Sequence, residues 1–225
     1  AQNNRTACQQ CDLTKFSAAG SVSCTPCPSN ATARHQRPNI TDCQCNSGYN
    51  GSDGGNCTAC APGTYKDELG AMPCTLCSAG TASAHYAAVT VGTCRDCEDT
   101  KFAGRGSAEC DTCPTDASSV LPRATKADCR CDPGTTGNNG QACEACEVGT
   151  YKPQMGHAPC TQCGAGKFSH DSKKASEDTC QECPDAEYAP VGSHSCTPCP
   201  TGATSWGERA AVDDCKCRSG FNGTD

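Results

Sequence analysis

Ten cysteine positions recur in this chain at a constant offset of 86 residues, and few folds can carry such a pattern. Cys8, Cys11, Cys24, Cys27, Cys43, Cys45, Cys57, Cys60, Cys74 and Cys77 return as Cys94, Cys97, Cys110, Cys113, Cys129, Cys131, Cys143, Cys146, Cys160 and Cys163. A further set follows at Cys180, Cys183, Cys196, Cys199, Cys215 and Cys217. Each period reads CxxC, CxxC, CxC, CxxC, CxxC, with 12, 15, 11, 13 and 16 residues between clusters. Loops normally tolerate changes of length at little thermodynamic cost. Here none is inserted or deleted, although NATARHQRPNIT (residues 30–41) faces DASSVLPRATKA (residues 116–127) in the next copy. Length was kept while residues drifted, which points to a geometric constraint such as a fixed axial rise in a stacked assembly.

With 26 Cys in 225 residues and aromatics at only 4%, large apolar side chains cannot fill a core that offsets the entropy of ordering the chain. A covalent framework is the expected substitute, and it requires an oxidising compartment. Zinc is the competing use of cysteine, since CxxC-x12-CxxC (Cys8 to Cys27) has the spacing of a structural zinc site. Four-Cys sites consume clusters in pairs, and five clusters per period cannot tile that way in phase. A redox role for CxxC wants a helix N-terminus after a buried strand, and no such strand precedes any of these clusters.

Spacing alone leaves connectivity open. The simplest ladder joins the second Cys of each cluster to the first of the next: Cys11–Cys24, Cys27–Cys43, Cys45–Cys57, Cys60–Cys74 and Cys77–Cys94. It continues as Cys97–Cys110, Cys113–Cys129, Cys131–Cys143, Cys146–Cys160, Cys163–Cys180, Cys183–Cys196 and Cys199–Cys215. Crossed links such as Cys11–Cys27 with Cys24–Cys43 are the alternative. Under the ladder only Cys8 and Cys217 lack mates, so both ends are expected to lie mid-repeat in a longer protein.

At these residues the chain resembles known families. Cys43-x-Cys45-x-x-Gly48-Tyr49-x-Gly51, closing at Cys57, is similar to the second half of an EGF-like module, and the pattern returns from Cys215 to Gly223. The middle copy keeps Cys129, Cys131, Gly134, Gly137 and Cys143 but has Thr135 in place of the aromatic. This resemblance favours the Cys45–Cys57 link. CAPGTYKDELGAMPCTLCSAGTAS (residues 60–83) resembles the ephrin type-A/B receptor-like cysteine-rich repeat, related in style to tumour-necrosis-factor-receptor modules. The resemblance implies an extracellular module and names no ligand.

Six Asn-X-Ser/Thr sequons, at Asn4, Asn30, Asn39, Asn50, Asn56 and Asn222, exceed the about two that ten Asn would produce by chance. N-linked glycans are expected there, with Asn56 handicapped by the Cys in its middle position. No apolar run approaches the ~20 residues of a membrane span. The chain opens without a signal peptide, which is expected to have been removed or to lie upstream. A net charge of −7 without a basic block argues against nucleic acid.

Other recurrent residues have structural readings. Phe16, Phe102, Tyr188, Tyr65, Tyr151 and Phe168 each follow the leading Cys of a loop by five positions, and are expected to lie against a neighbouring disulfide. Gly20, Gly106, Gly192, Gly70 and Gly156 mark turns. Asp42, Asp128 and Asp214 precede each CxC; a turn cap is favoured over a calcium ligand. His35, His85, His157, His170 and His194 share no phase, and no catalytic motif is present.

The expected fold is a series of small disulfide-rich repeats: an elongated rod of stapled loops with short β-hairpins and little or no helix. Residues 1–7 end a preceding repeat, 8–93 and 94–179 are full repeats, and 180–225 is a partial third. The chain is expected to be non-enzymatic and extracellular, without cofactor or metal, a structural subunit of a glycoprotein rod, fibre or coat such as a flagellar-hair shaft. Its partners would be further copies or other extracellular glycoproteins. The alternative is the stalk or ligand-binding ectodomain of a surface receptor or adhesion protein.

Overall fold

A computed structural model describes residues 8–34 and 37–223; the segment 1–7 with Asn4, and His35, lie outside the described residues. The chain divides into two compact units, Ala1–Cys97 with Ala103–Asp111 and Glu98–Phe102 with Thr112–Asp225.

One loop shows how the sequence dictates the local fold. After Cys60, the Thr64 N–H donates to the Ala61 carbonyl at 3.1 Å. Pro62 supplies the fixed φ of the first central turn position, and Gly63 adopts φ +79° at the second, the chemistry of a type II turn. The chain leaves as strand Thr64–Tyr65 and returns antiparallel as Thr75–Leu76, with Tyr65 opposite Thr75. The Cys77 N–H then donates to the Gly63 carbonyl at 2.8 Å, and Cys60–Cys74 closes the loop. The two residues inside a CxxC are therefore the return strand. Its first Cys shuts the loop behind and its second opens the loop ahead.

The same device repeats in both units. In the first, Lys15–Phe16 pairs with Thr25–Pro26, Ala31–Ala33 with Cys43–Cys45, Tyr49–Asn50 with Thr58–Ala59, and Thr81–Ala82 with Arg95–Asp96. In the second, Ala117–Ser119 pairs with Cys129–Cys131, Thr150–Tyr151 with Thr161–Gln162, Lys167–Phe168 with Gln181–Glu182, and Ala203–Ser205 with Cys215–Cys217. The CxC clusters are three-residue strands, and strand alternation turns Cys43 and Cys45 to one buried side while Gln44 faces outward. Every sheet among the described residues has two strands. The helical elements are three-residue 3-10 turns at Ile40–Asp42, Val91–Thr93, Lys126–Asp128, Glu177–Thr179 and Val212–Asp214. They occur in the loops whose cysteines are 16 or 17 residues apart, and take up the extra length just before the closing Cys.

Twelve disulfides join the second Cys of each cluster to the first of the next, from Cys11–Cys24 to Cys199–Cys215. The core is largely made of them. Its largest fully buried side chains are cystines together with Thr135. Phe16 packs on Ala31, Ala33 and Cys43, and Phe102 on Cys113, Ala117 and Cys129. In both cases the aromatic covers the disulfide of the following loop (Cys27–Cys43 and Cys113–Cys129).

Candidate functional site

Among the described residues nothing converges on one reactive centre; what recurs is the seam between successive loops. At six turns a left-handed glycine donates its N–H into the next loop. Gly48 bonds the Lys66 carbonyl at 2.7 Å, Gly63 the Ser83 carbonyl at 2.6 Å and Gly80 the Ala103 carbonyl at 2.8 Å. In the second unit Gly134, Gly149 and Gly166 do the same to Lys152, Ser169 and Ala189, at 2.8–2.9 Å. A return bond comes from the loop ahead: Gly70 donates to the Cys45 carbonyl and Gly156 to the Cys131 carbonyl, each at 2.9 Å. The approach extends to the second neighbour, because a Cβ on Gly149 would fall 2.1 Å from the Gly192 carbonyl oxygen. Main-chain groups make these bonds, so the seam survives drift at residues other than its glycines but not a change in loop length.

Two sets of side chains lock the seam. Lys66 and Lys152, 86 residues apart, are each only 2% exposed. Lys152 Nζ donates to the carbonyls of Thr135 at 2.6 Å and Gly156 at 2.5 Å; Lys66 Nζ reaches Tyr49, at 2.6 Å, and Gly70. Burial lowers the pKa of both ammonium groups, opposed by the charges of Asp53 and Asp132 respectively. Arg37 and Arg209 also stand in phase. Arg37 donates to the carbonyls of Cys11 and Asp12 at 2.6 Å, while Arg209 takes the Cys183 carbonyl at 2.6 Å and the Asp185 carboxylate at 2.9 Å. Arg123, between them in phase, pairs with Asp99. Each guanidinium ties a long loop to the start of the hairpin before it.

The recurrent aspartates are caps. Asp128 Oδ2 accepts from the Ala124 and Thr125 N–H groups at 2.8 and 2.9 Å, Asp214 from Ala210 and Ala211, and Asp42 from Asn39. One oxygen of each, Oδ2, is committed to main-chain donors at the start of its 3-10 turn. Thr135, the departure from the aromatic pattern, is fully buried, and its hydroxyl donates to the Asp132 carbonyl at 2.8 Å. His85, His157, His170 and His194 are exposed on separate loops, and His170 meets the Phe168 ring edge-on at 4.6 Å.

Disulfides hold 24 of the 26 Cys, which leaves no four-thiolate set; Cys8 and Cys217 are free and exposed. In no CxxC are the two cysteines bonded to each other: Cys8 is free beside Cys11, and in the others the two belong to different disulfides. Among the described residues no group of three or more His, Cys, Asp or Glu is placed to hold a metal ion, and no helix is long and apolar enough to cross a membrane. Of the sequon asparagines, Asn30, Asn39, Asn56 and Asn222 are exposed and Asn50 is half-buried opposite Thr58. The middle residue of the Asn56 sequon, Cys57, is tied to Cys45.

Residues 48–94 and 134–178 match the family described as tyrosine-protein kinase ephrin type A/B receptor-like. Both stretches begin at a left-handed glycine of the seam, Gly48 and Gly134. Signal peptide, CUB and EGF-like domain-containing protein 2 of Mus musculus is 29% identical over 185 residues, 78% of this chain and 16% of that protein. Cysteine repeat modular protein A of Toxoplasma gondii is 28% identical over 220 residues, 91% of this chain and 7% of that protein. The chain is built of cysteine-rich, EGF-like repeats. It spans a small part of the length of these relatives, as it does of the mouse Sushi, von Willebrand factor type A, EGF and pentraxin domain-containing protein 1, where it covers 3%. Twelve disulfides place these repeats in an oxidising, extracellular setting.

Two signals were missed in the sequence alone. Lys66 and Lys152 recur at the same phase, as do Arg37, Arg123 and Arg209. A charged residue that keeps its phase in successive copies is a candidate for a buried or clamped role.

Proposed function

We propose that this chain is a structural segment of an extracellular glycoprotein, contributing a stretch of constant rise to a rod, fibre or surface coat such as a flagellar-hair shaft. The observation that carries it is the indel-free 86-residue period, supported by a seam of main-chain hydrogen bonds that holds its glycines in place and penalises altered loop length. A catalytic role has no support in the repeats. We divide the chain into repeats at 8–93, 94–179 and 180–225, with 1–7 closing an earlier one. N-linked sugar is assigned to Asn4, Asn30, Asn39, Asn50, Asn56 and Asn222, with other copies or extracellular glycoproteins as partners.

A receptor or adhesion stalk is the second reading. It is favoured by relatives whose printed names combine EGF repeats with CUB or pentraxin domains. Electron microscopy of native material separates the two. A fibre subunit gives filaments or coats with regular axial spacing; isolated chains without such spacing would turn the assignment to a stalk.

A further inference from the structure

The two full copies differ at one place in a way that pairs a sequon with an apolar loop. In the second unit, Asp116 stands at φ +58° after the Cys113 turn, and its Oδ1 accepts from Lys173 Nζ at 2.6 Å. Lys173 itself takes φ +57° and belongs to the charged stretch DSKKASED (residues 171–178). Eighty-six residues earlier the corresponding pair is Asn30, at φ +61°, and Ala87, at φ +49°. Ala87 has nothing to offer the Asn30 side chain, and the corresponding stretch is HYAAVTVG (residues 85–92). Tyr86, Val89 and Val91 in it are 72%, 51% and 59% exposed.

The surrounding main chain is the same in both copies. The Asn30 carbonyl accepts from Asn46 N–H at 2.8 Å, as the Asp116 carbonyl does from Asp132 N–H at 2.9 Å. A Cβ on Gly48 would meet the Ala87 carbonyl oxygen at 2.3 Å and Val89 Cγ1 at 3.2 Å; one on Gly134 would meet the Lys173 carbonyl oxygen at 2.5 Å. By these equivalent main-chain positions residue 30 stands where 116 does and residue 87 where 173 does, and Val89 of the apolar loop lies beside Gly48. Within NAT (30–32) and DAS (116–118), the change of Asn to Asp removes the sequon in the copy whose loop is charged. Residues 94–179 contain no sequon at all.

We propose that an N-linked glycan on Asn30 covers the exposed apolar loop of Tyr86, Val89 and Val91, taking the place of the Asp116–Lys173 ion pair in the next repeat. Exposed apolar patches need a cover, and the sugar is bulky and solubilising. Its pyranose C–H faces suit the Tyr86 ring, and its hydroxyls keep the outer surface wetted. This rests on the reading of the chain as a secreted glycoprotein.

The test is hydroxyl-radical footprinting of the chain secreted from eukaryotic cells, after mass spectrometry has established which sequons carry sugar. Tyr86 is compared in the glycosylated protein, in Asn30→Gln, and in protein deglycosylated after folding, which needs no variant to fold. Trp206, exposed and far along the sequence, is the internal reference. The expected result is a severalfold rise in Tyr86 oxidation on loss of the Asn30 sugar, with Trp206 unchanged. Asn30→Gln should also self-associate, and Y86S/V89A/V91E, which copies the second repeat, should abolish that. Equal Tyr86 rates with and without sugar overturn the proposal, as does protection that grows with protein concentration, which would make the loop an interface between copies. An empty Asn30 beside occupied sequons also defeats the cover but leaves the glycoprotein reading intact; sugar on no sequon defeats both.

Discussion

Lys152 spends its ammonium group on two main-chain carbonyls, those of Thr135 and Gly156, and is almost wholly out of solvent. A lysine is an unusual choice for such a place, since burial penalises its charge and only hydrogen bonds offset the penalty. Replacing it with Met keeps the stem and strips both carbonyls of a donor. Lys152→Met should lower stability by about 1–3 kcal/mol, read from urea unfolding, and Lys66→Met should do the same in the first unit. Asp12 belongs at this scale too. The Thr14 hydroxyl, the Lys15 ammonium and the Thr14 N–H together hold its carboxyl at about 2, below the ordinary 3.8. The folded chain then binds this proton less readily than the unfolded one, so the contribution is present above 3.8 and disappears as pH falls through about 2. Thr14→Val should move the Asp12 titration, followed by NMR, upward toward the ordinary value; no movement would remove the hydroxyl as its main cause.

At the scale of the element, each unit of construction is a turn, a two-residue strand pair and a disulfide. Gly149 is needed twice over: φ +76° favours glycine, and the carbonyl of Gly192 leaves no room for a Cβ. Gly149→Ala should therefore cost more than the ~1 kcal/mol of the backbone conformation alone. Hydrogen exchange should rise at the Gly149 and Cys163 amides, which bond Ser169 and Gly149. The 3-10 turns depend on their caps, and Asp128→Ala should cost about 1 kcal/mol, with faster exchange confined to residues 124–129. Much at this scale was legible in the sequence. CxxC spacing announces a short stapled element, and Gly20, Gly106 and Gly192 mark turns because the structure gives all three positive φ. The 3-10 turns were not legible, since three residues carry no periodicity. The Lys and Arg clamps showed only as a constant phase, because their roles depend on which loop packs beneath them and not on local pattern.

For the whole molecule, the 86-residue period is visible in the cysteines alone, whereas the seam that explains its constancy is made of main-chain bonds and marks residue type only through its glycines, such as Gly63 and Gly149. Thr135 illustrates the difference: it breaks the aromatic pattern yet is the bulkiest fully buried side chain apart from cystine. Because cystine supplies the core in both units, reduction without denaturant should unfold the repeats entirely, each link contributing ~3 kcal/mol by limiting the unfolded chain. Circular dichroism and amide exchange would register that loss. The account as a whole depends on the order of the links. Partial reduction with stepwise alkylation, followed by mass spectrometry, reads that order directly. The expected result is links only between the second Cys of one cluster and the first of the next, beginning with Cys11–Cys24 and Cys27–Cys43. A Cys11–Cys27 peptide, or one joining Cys24 to Cys43, would contradict it.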